Sequence, residues 1–124
     1  MSTYSLHVAV KTRYLEDQSD PAEKRYVFAY TITIKNTGSV PSQVISRHWI
    51  ITDADAHVEE VKGLGVVGHQ PLLAPGETFE YTSGSALPTA TGSMRGSYFV
   101  VAEDTTRFEV PIDEFALAVP RALH

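Results

Sequence analysis

The sequence predicts an all-β fold: an immunoglobulin-like antiparallel sandwich of two sheets and about seven or eight strands. Three observations carry that reading. Apolar and polar residues alternate along nearly the whole chain, the spacing at which side chains on a pleated strand return to one face. Clusters of Gly, Pro, Asn and Asp interrupt the alternation about every 8–12 residues, as turns between short strands do. No stretch sustains the roughly 3.6-residue apolar period of a helix. A small barrel is the main alternative architecture.

The elements follow in order. Leu6, Val8, Val10, Thr12 and Tyr14 alternate with His7, Lys11 and Arg13, a half-buried strand. A polar stretch through Pro21 leads to a second strand, where Tyr26, Phe28, Tyr30, Ile32 and Ile34 share a face. Asn36-Thr37-Gly38-Ser39 is a turn, because Asn and Gly tolerate positive φ. The third strand, Gln43–Thr52, is apolar on both faces, with Trp49 and Ile51 on one and Val44 and Ile50 on the other. That marks a central strand, and its Trp resembles the core Trp of immunoglobulin-like domains.

Asp53-Ala54-Asp55-Ala56 turns the chain into a strand over His57–Lys62, followed by the glycine-rich Gly63-Leu64-Gly65-Val66-Val67-Gly68. Pro75-Gly76 suits the centre of a type II turn. Thr78–Ser83 and Met94–Val101 alternate again, joined by a connection of small residues over Ser83–Ser93. Thr105–Val110 is the next strand, with Pro111 ending its hydrogen bonding; the tail holds Phe115, Leu117 and Val119, which either dock on the sandwich or form a last edge strand.

Composition narrows the function. With 124 residues, 43% of them apolar, the chain reads as one domain over residues 1–124. A core of that size buries roughly two-thirds of the unfolded surface. The absence of cysteine excludes disulfides, thiolate nucleophiles and cysteine-held metals. A net charge of −5, with scattered basic residues, gives no footprint for nucleic acid. No apolar run approaches the roughly 20 residues that span a bilayer, and no signal peptide is visible at the start, so the expected location is the cytoplasm.

Two constellations could carry chemistry. Gly63-x-Gly65-x-x-Gly68 matches the dinucleotide fingerprint, which works only where the glycines open a helix whose N-terminus holds pyrophosphate. Pro71 and Pro75 follow too closely for a helix, and no acidic residue stands about 20 positions on to hold a ribose. A nest of backbone amides in Gly63–Gly68 remains able to take phosphate or pyrophosphate. The other reading of these glycines is a bulge or tight connection. Asp53, Asp55 and His57 alternate, so an extended backbone places two carboxylates and an imidazole on one face, a ligand set for a divalent cation. Asp in a turn more often bonds its own backbone. His48 is expected as a hydrogen-bonded histidine beside the core, and the stem of Arg47 is expected to lie along the sheet. Serine-nucleophile, zincin and phosphate-loop motifs are all missing, so no enzyme is predicted and no cofactor is assigned.

From Gly63 onward, the glycine series with Gln70-Pro71, Leu73, Pro75-Gly76, Phe79, Tyr81, Ser83-Gly84, Gly92, Met94, Gly96 and Tyr98 resembles the ApaG family. Upstream, Tyr26, Tyr30, Ile32, Asn36, Ser46-Arg47-His48-Trp49 and Ile51-Thr52-Asp53 fit the same pattern. The resemblance implies a fibronectin type III-like sandwich and, for bacterial members, a stand-alone cytoplasmic domain. It also implies an accessory role in cobalt and magnesium efflux or resistance, and a gene neighbourhood shared with a diadenosine tetraphosphate hydrolase. Similar domains in an F-box protein and a polymerase-delta-interacting protein look like protein-interaction modules. The expected function is therefore a non-catalytic binding module for another protein, touching it through a sheet face, an edge strand or the Gly63–Pro75 loop with its exposed Leu64, Val66 and Val67. The alternative is a nucleotide- or pyrophosphate-binding protein using Gly63–Gly68.

Overall fold

A computed structural model describes residues 3–120. Eight strands account for most of them: β1 (Leu6–Tyr14), β2 (Tyr26–Asn36), β3 (Ser42–Asp53), β4 (Val58–Leu64), β5 (Leu72–Leu73), β6 (Thr78–Leu87), β7 (Thr91–Ala102) and β8 (Arg107–Ala118). Two single 3₁₀ turns, Glu16–Gln18 and Pro21–Glu23, join β1 to β2; the described residues contain no α-helix. The strands form two antiparallel sheets, β1-β2-β6 and β4-β3-β7-β8, with β5 paired to β3 beyond the end of β4. This is the predicted two-sheet sandwich.

Period-two patterning explains which face each strand buries. On β2, Phe28, Tyr30, Ile32 and Ile34 point inward while Thr31, Thr33 and Lys35 point out. Facing them, Trp49 and Ile51 of β3, Met94, Tyr98 and Val100 of β7, and Val110, Ile112 and Leu117 of β8 complete the core. Trp49 is its centre. Tyr30 and Phe115 meet the indole edge-on at 5.5 and 5.9 Å between ring centroids, an arrangement that matches ring edges to ring faces.

Several expectations change. Val44 faces the core with Trp49, because β3 carries one extra residue, Ile45, between the pairs Val44↔Val100 and Ser46↔Phe99. A bulge of this kind resets the alternation. The connection expected over Ser83–Ser93 is mostly strand: β6 runs to Leu87 and β7 starts at Thr91, since small residues pair as well as large ones where a neighbour supplies the ladder. Nor does Pro111 end its strand. β8 is an edge strand, where a missing N–H is tolerated, and it continues to Ala118 as the last strand anticipated for the tail. Gly38 needs no positive φ. It is glycine for space, because a Cβ there would strike the Thr3 carbonyl oxygen.

One side of the sandwich is shut. β1 packs beside β8, and the Tyr4 hydroxyl donates to Asp104 in the turn before β8. That bond, with the Thr106 N–H, holds the exposed Asp104 carboxyl below the ordinary carboxylate range. Asn36 locks an end of β2 from inside: its amide donates to the Leu73 carbonyl at 2.8 Å and the Val40 carbonyl at 3.0 Å, and its carbonyl oxygen accepts from Gly38 N–H at 2.9 Å. All three bonds satisfy a side chain that is almost wholly buried.

Of the glycines, Gly96 leaves the least room for a side chain: it stands opposite Trp49 between β3 and β7, and a Cβ there would collide with the His48 carbonyl oxygen. Gly96→Ala is expected to cost at least about 2 kcal/mol in urea unfolding, because two paired backbones must separate to admit the methyl group. Gly84→Ala, whose Cβ meets only the Phe28 carbonyl at 3.3 Å, is the matched control and should change stability far less.

Candidate functional site

The glycine-rich segment is a strand end followed by a tight hairpin. Gly63 and Leu64 are the last residues of β4, paired with Arg47 and Ser46. Gly65 then leaves the strand at φ +67°, and its N–H donates to the Ile45 carbonyl at 2.7 Å. Val66 and His69 exchange two backbone bonds, of 2.7 and 3.0 Å, around Val67 and Gly68. The central pair sits at φ 49° and 79°, the two positive values a type I′ hairpin turn requires. No helix follows Gly68, as Pro71 and Pro75 predict.

Each glycine has its own reason. A Cβ on Gly63 would lie 2.7 Å from Nη1 of Arg47. One on Gly65 would lie 2.5 Å from the His69 carbonyl. Gly68 has open space and serves only the left-handed turn. The amides of Gly65, Val66 and His69 are bonded within the corner, and those of Val67 and Gly68 take no acceptor among the described residues. Of the three apolar side chains expected to be exposed, Leu64 (76%) and Val67 (55%) are, but Val66 is fully buried. The Val66↔His69 pairing turns its side chain into the core, as one-residue alternation from Val67 demands.

Arg47 organises this corner from below. It lies on the inner face of β3, two residues before Trp49, and its Nη1 donates to the Leu64 and Gly65 carbonyls at 3.1 and 3.0 Å. Gln70 adds a bond from Nε2 to the Ile45 carbonyl at 2.9 Å, and Gln43 Nε2 reaches the Gln70 carbonyl at 3.0 Å. The inward direction of Arg47 was readable from its period-two relation to Trp49 and Ile51, against the expectation of a stem lying along the sheet surface. Beneath it the hydroxyls of Tyr81 and Tyr98 share a hydrogen bond of 2.5 Å. Burial raises both phenols, Tyr81 to about 12 and Tyr98 further.

His48 points the other way, onto the outer face of the five-stranded sheet rather than beside the core. Its Nε2 meets Glu60 Oε1 at 2.5 Å. There, Ser46 and Ser97 form the floor of a groove of about 460 Å³, with Leu64 on one wall and Phe99 on the other. The groove exists because two serines stand between larger neighbours. A second row, Leu72–Gln43–Val101, runs beside it, with Leu72 60% exposed.

Asp53, Asp55 and His57 do converge, with one ligand atom from each lying within 4.8 Å of the others. A turn brings them together, not the shared strand face expected from their alternation: β3 ends at Asp53, and Ala56 takes φ 64° before β4. Asp53 Oδ1 accepts from the Asp55 and His57 amides at 2.8 and 3.0 Å, and its Oδ2 lies 3.4 Å from His57 Nδ1. Asp53 thus serves the turn first, as Asp in turns commonly does.

These features define a class: an open β-sandwich domain whose glycine-rich hairpin is tied to its central strand. The comparisons place it in a family. The ApaG domain matches residues 16–102, and the chain belongs to the ApaG family. The Ralstonia nicotianae protein named ApaG is 68% identical over 124 residues, the whole of both chains. Its counterpart from Bordetella pertussis is 66% identical over 121 residues, covering 98% of this chain and 92% of its own. A crystal structure of a Bordetella pertussis protein named ApaA superposes with a TM-score of 0.95 at 64% identity, covering 98% of each chain. None of these names carries a catalytic activity.

Two outcomes test the corner. Val67→Asn should raise stability by about 1 kcal/mol in urea unfolding, because a β-branched residue at positive φ is strained where Asn is tolerated. Gly68→Ala should lower it. For the tyrosine pair, the folded pKa of Tyr81 lies above its unfolded value near 10, so its stabilising effect is complete below pH 10 and is lost as pH rises towards about 12. Unfolding free energy measured across that window should fall, and fall less steeply in Tyr81→Phe.

Proposed function

We propose that this chain is a cytoplasmic, non-catalytic protein-interaction module that receives an apolar side chain of a partner protein in the groove walled by Leu64 and Phe99. The observation that carries this reading is the unusual exposure of Leu64 at the rim of a concave, serine-floored surface. A large apolar side chain left in water beside a recess gains about 25 cal/mol per Å² when a partner covers it. Lys62 and Glu109 frame the recess with opposite charges, the polar rim that excludes water around an apolar anchor. The family resemblance supports an accessory role in cobalt and magnesium homeostasis, exerted through the partner rather than by holding the cation.

The test uses a photo-crosslinking residue at Leu64 and, as control, at the exposed Lys35 on the opposite sheet. A protein captured from Leu64 alone, and weakened about tenfold or more by Leu64→Asp in the purified pair, is the expected result. A strain carrying Leu64→Asp should be as cobalt-sensitive as one lacking the protein. Equal capture at both positions, or full cobalt tolerance with normal protein levels, would overturn the reading.

A further inference from the structure

The two sheets do not close on the side away from β1 and β8. β4 pairs only with β3 and β6 only with β2, so each leaves one row of main-chain groups unpaired along this side. Two cavities of about 280 and 300 Å³ lie between them. They share Ile51, Glu59 and Ala86, and so form one furrow along the open edge between Arg47 and Asp53.

The furrow has a polarity set by β3. Alternate inward residues line its floor in order: Arg47, Trp49, Ile51, Asp53. On the β4 wall Val61 stands opposite Trp49, and Glu59 opposite Ile51. The Arg47 end faces Ser83 of β6 and the Asp53 end faces Leu87. Arg47 has no carboxylate within 4.0 Å among the described residues, and only its Nη1 is committed, leaving further donors of a five-donor group. Glu59 likewise has no cationic partner there.

The two edges differ in what they admit. β4 presents Glu59, Glu60 and Lys62, charges of the kind that guard an edge against strand addition. From Tyr81 to Leu87, β6 has neither charge nor proline, and its outward residues there are Thr82, Gly84 and Ala86. Ser83 and Ser85, facing inward, leave the gap unfilled.

We propose that this furrow binds an extended peptide as an added strand, antiparallel to β6, whose alternate inward side chains are basic, apolar and acidic in that order. Antiparallel addition continues the pairing of the sheet and starts the peptide at the Leu87 end. Its basic side chain then meets the exposed Glu59, its apolar side chain packs against Val61 above the buried Trp49, and its acidic side chain meets Arg47. This site is distinct from the Leu64–Phe99 groove and shares with the function proposed above only the premise of a polypeptide partner.

The probe is a fluorescein-labelled peptide, Thr-Lys-Thr-Val-Thr-Glu-Thr, compared with its charge-exchanged isomer Thr-Glu-Thr-Val-Thr-Lys-Thr. The first should bind at least about fivefold tighter by anisotropy, and the exposed Glu59→Lys variant should cancel or reverse that preference. N-methylation of alternate peptide amides on the pairing edge should abolish binding while leaving the protein untouched. Amide resonances of Ser83–Leu87 should shift. No binding at millimolar peptide, equal affinity of the two isomers, or undiminished binding of the methylated peptide overturns the proposal. Shifts confined to Leu64 and Phe99 overturn it too, while leaving the outer-face groove as a protein contact. Protection of Ser83–Leu87 that grows with protein concentration alone would assign this edge to a second copy of the chain, and also overturns it.

Discussion

The single extra residue in β3, Ile45, is what the rest of the molecule turns on. Without it, Val44 and Trp49 would fall on opposite faces, and one end of the sandwich would lose its core. With it, residues before and after the bulge both point inward. The carbonyl of Ile45, released from the ladder, accepts the Gly65 N–H and the Gln70 side chain at 2.7 and 2.9 Å. The bulge therefore anchors the glycine-rich corner as well as the core. Arg47, two residues on, tightens the same corner from the inner face.

That anchoring decides what the three spaced glycines are for. In a dinucleotide site the same letters free backbone amides to point at a pyrophosphate from a helix N-terminus. Here they make room for a guanidinium, a carbonyl and a left-handed turn, and most of the amides are spent on the corner itself. A motif names spacings. The partner of each N–H decides the chemistry, and for Gly65 that partner is supplied by β3, about 20 residues upstream in the chain.

The sandwich is asymmetric in a way that bears on binding. One side is sealed by β1 against β8 and by the Tyr4–Asp104 bond. The other stands open between β4 and β6, with aromatic floor residues covered but unflanked. The outer face of the five-stranded sheet adds a second recess, made by serines between Leu64 and Phe99. Both openings arise from small residues set where a larger side chain would have filled the space. In a well-packed domain, that is the simplest way to build a surface that a second polypeptide can complete.

The sequence alone determined the all-β two-sheet class, the Trp49 core and the failure of a helix after Gly68. All of these follow from alternation and from Pro and Gly, which act over a few residues. The convergence of Asp53, Asp55 and His57 was legible too, although a turn and not a strand produces it. Tertiary structure alone decided the facing of Val44, the burial of Val66 and the passage of β8 through Pro111. The first depends on an inserted residue that period-two counting cannot register, since a bulge leaves no mark in residue type. The others depend on which strand lies alongside: hydrogen-bond partners and cavities come from segments far apart in the chain, and a local pattern holds no information about them.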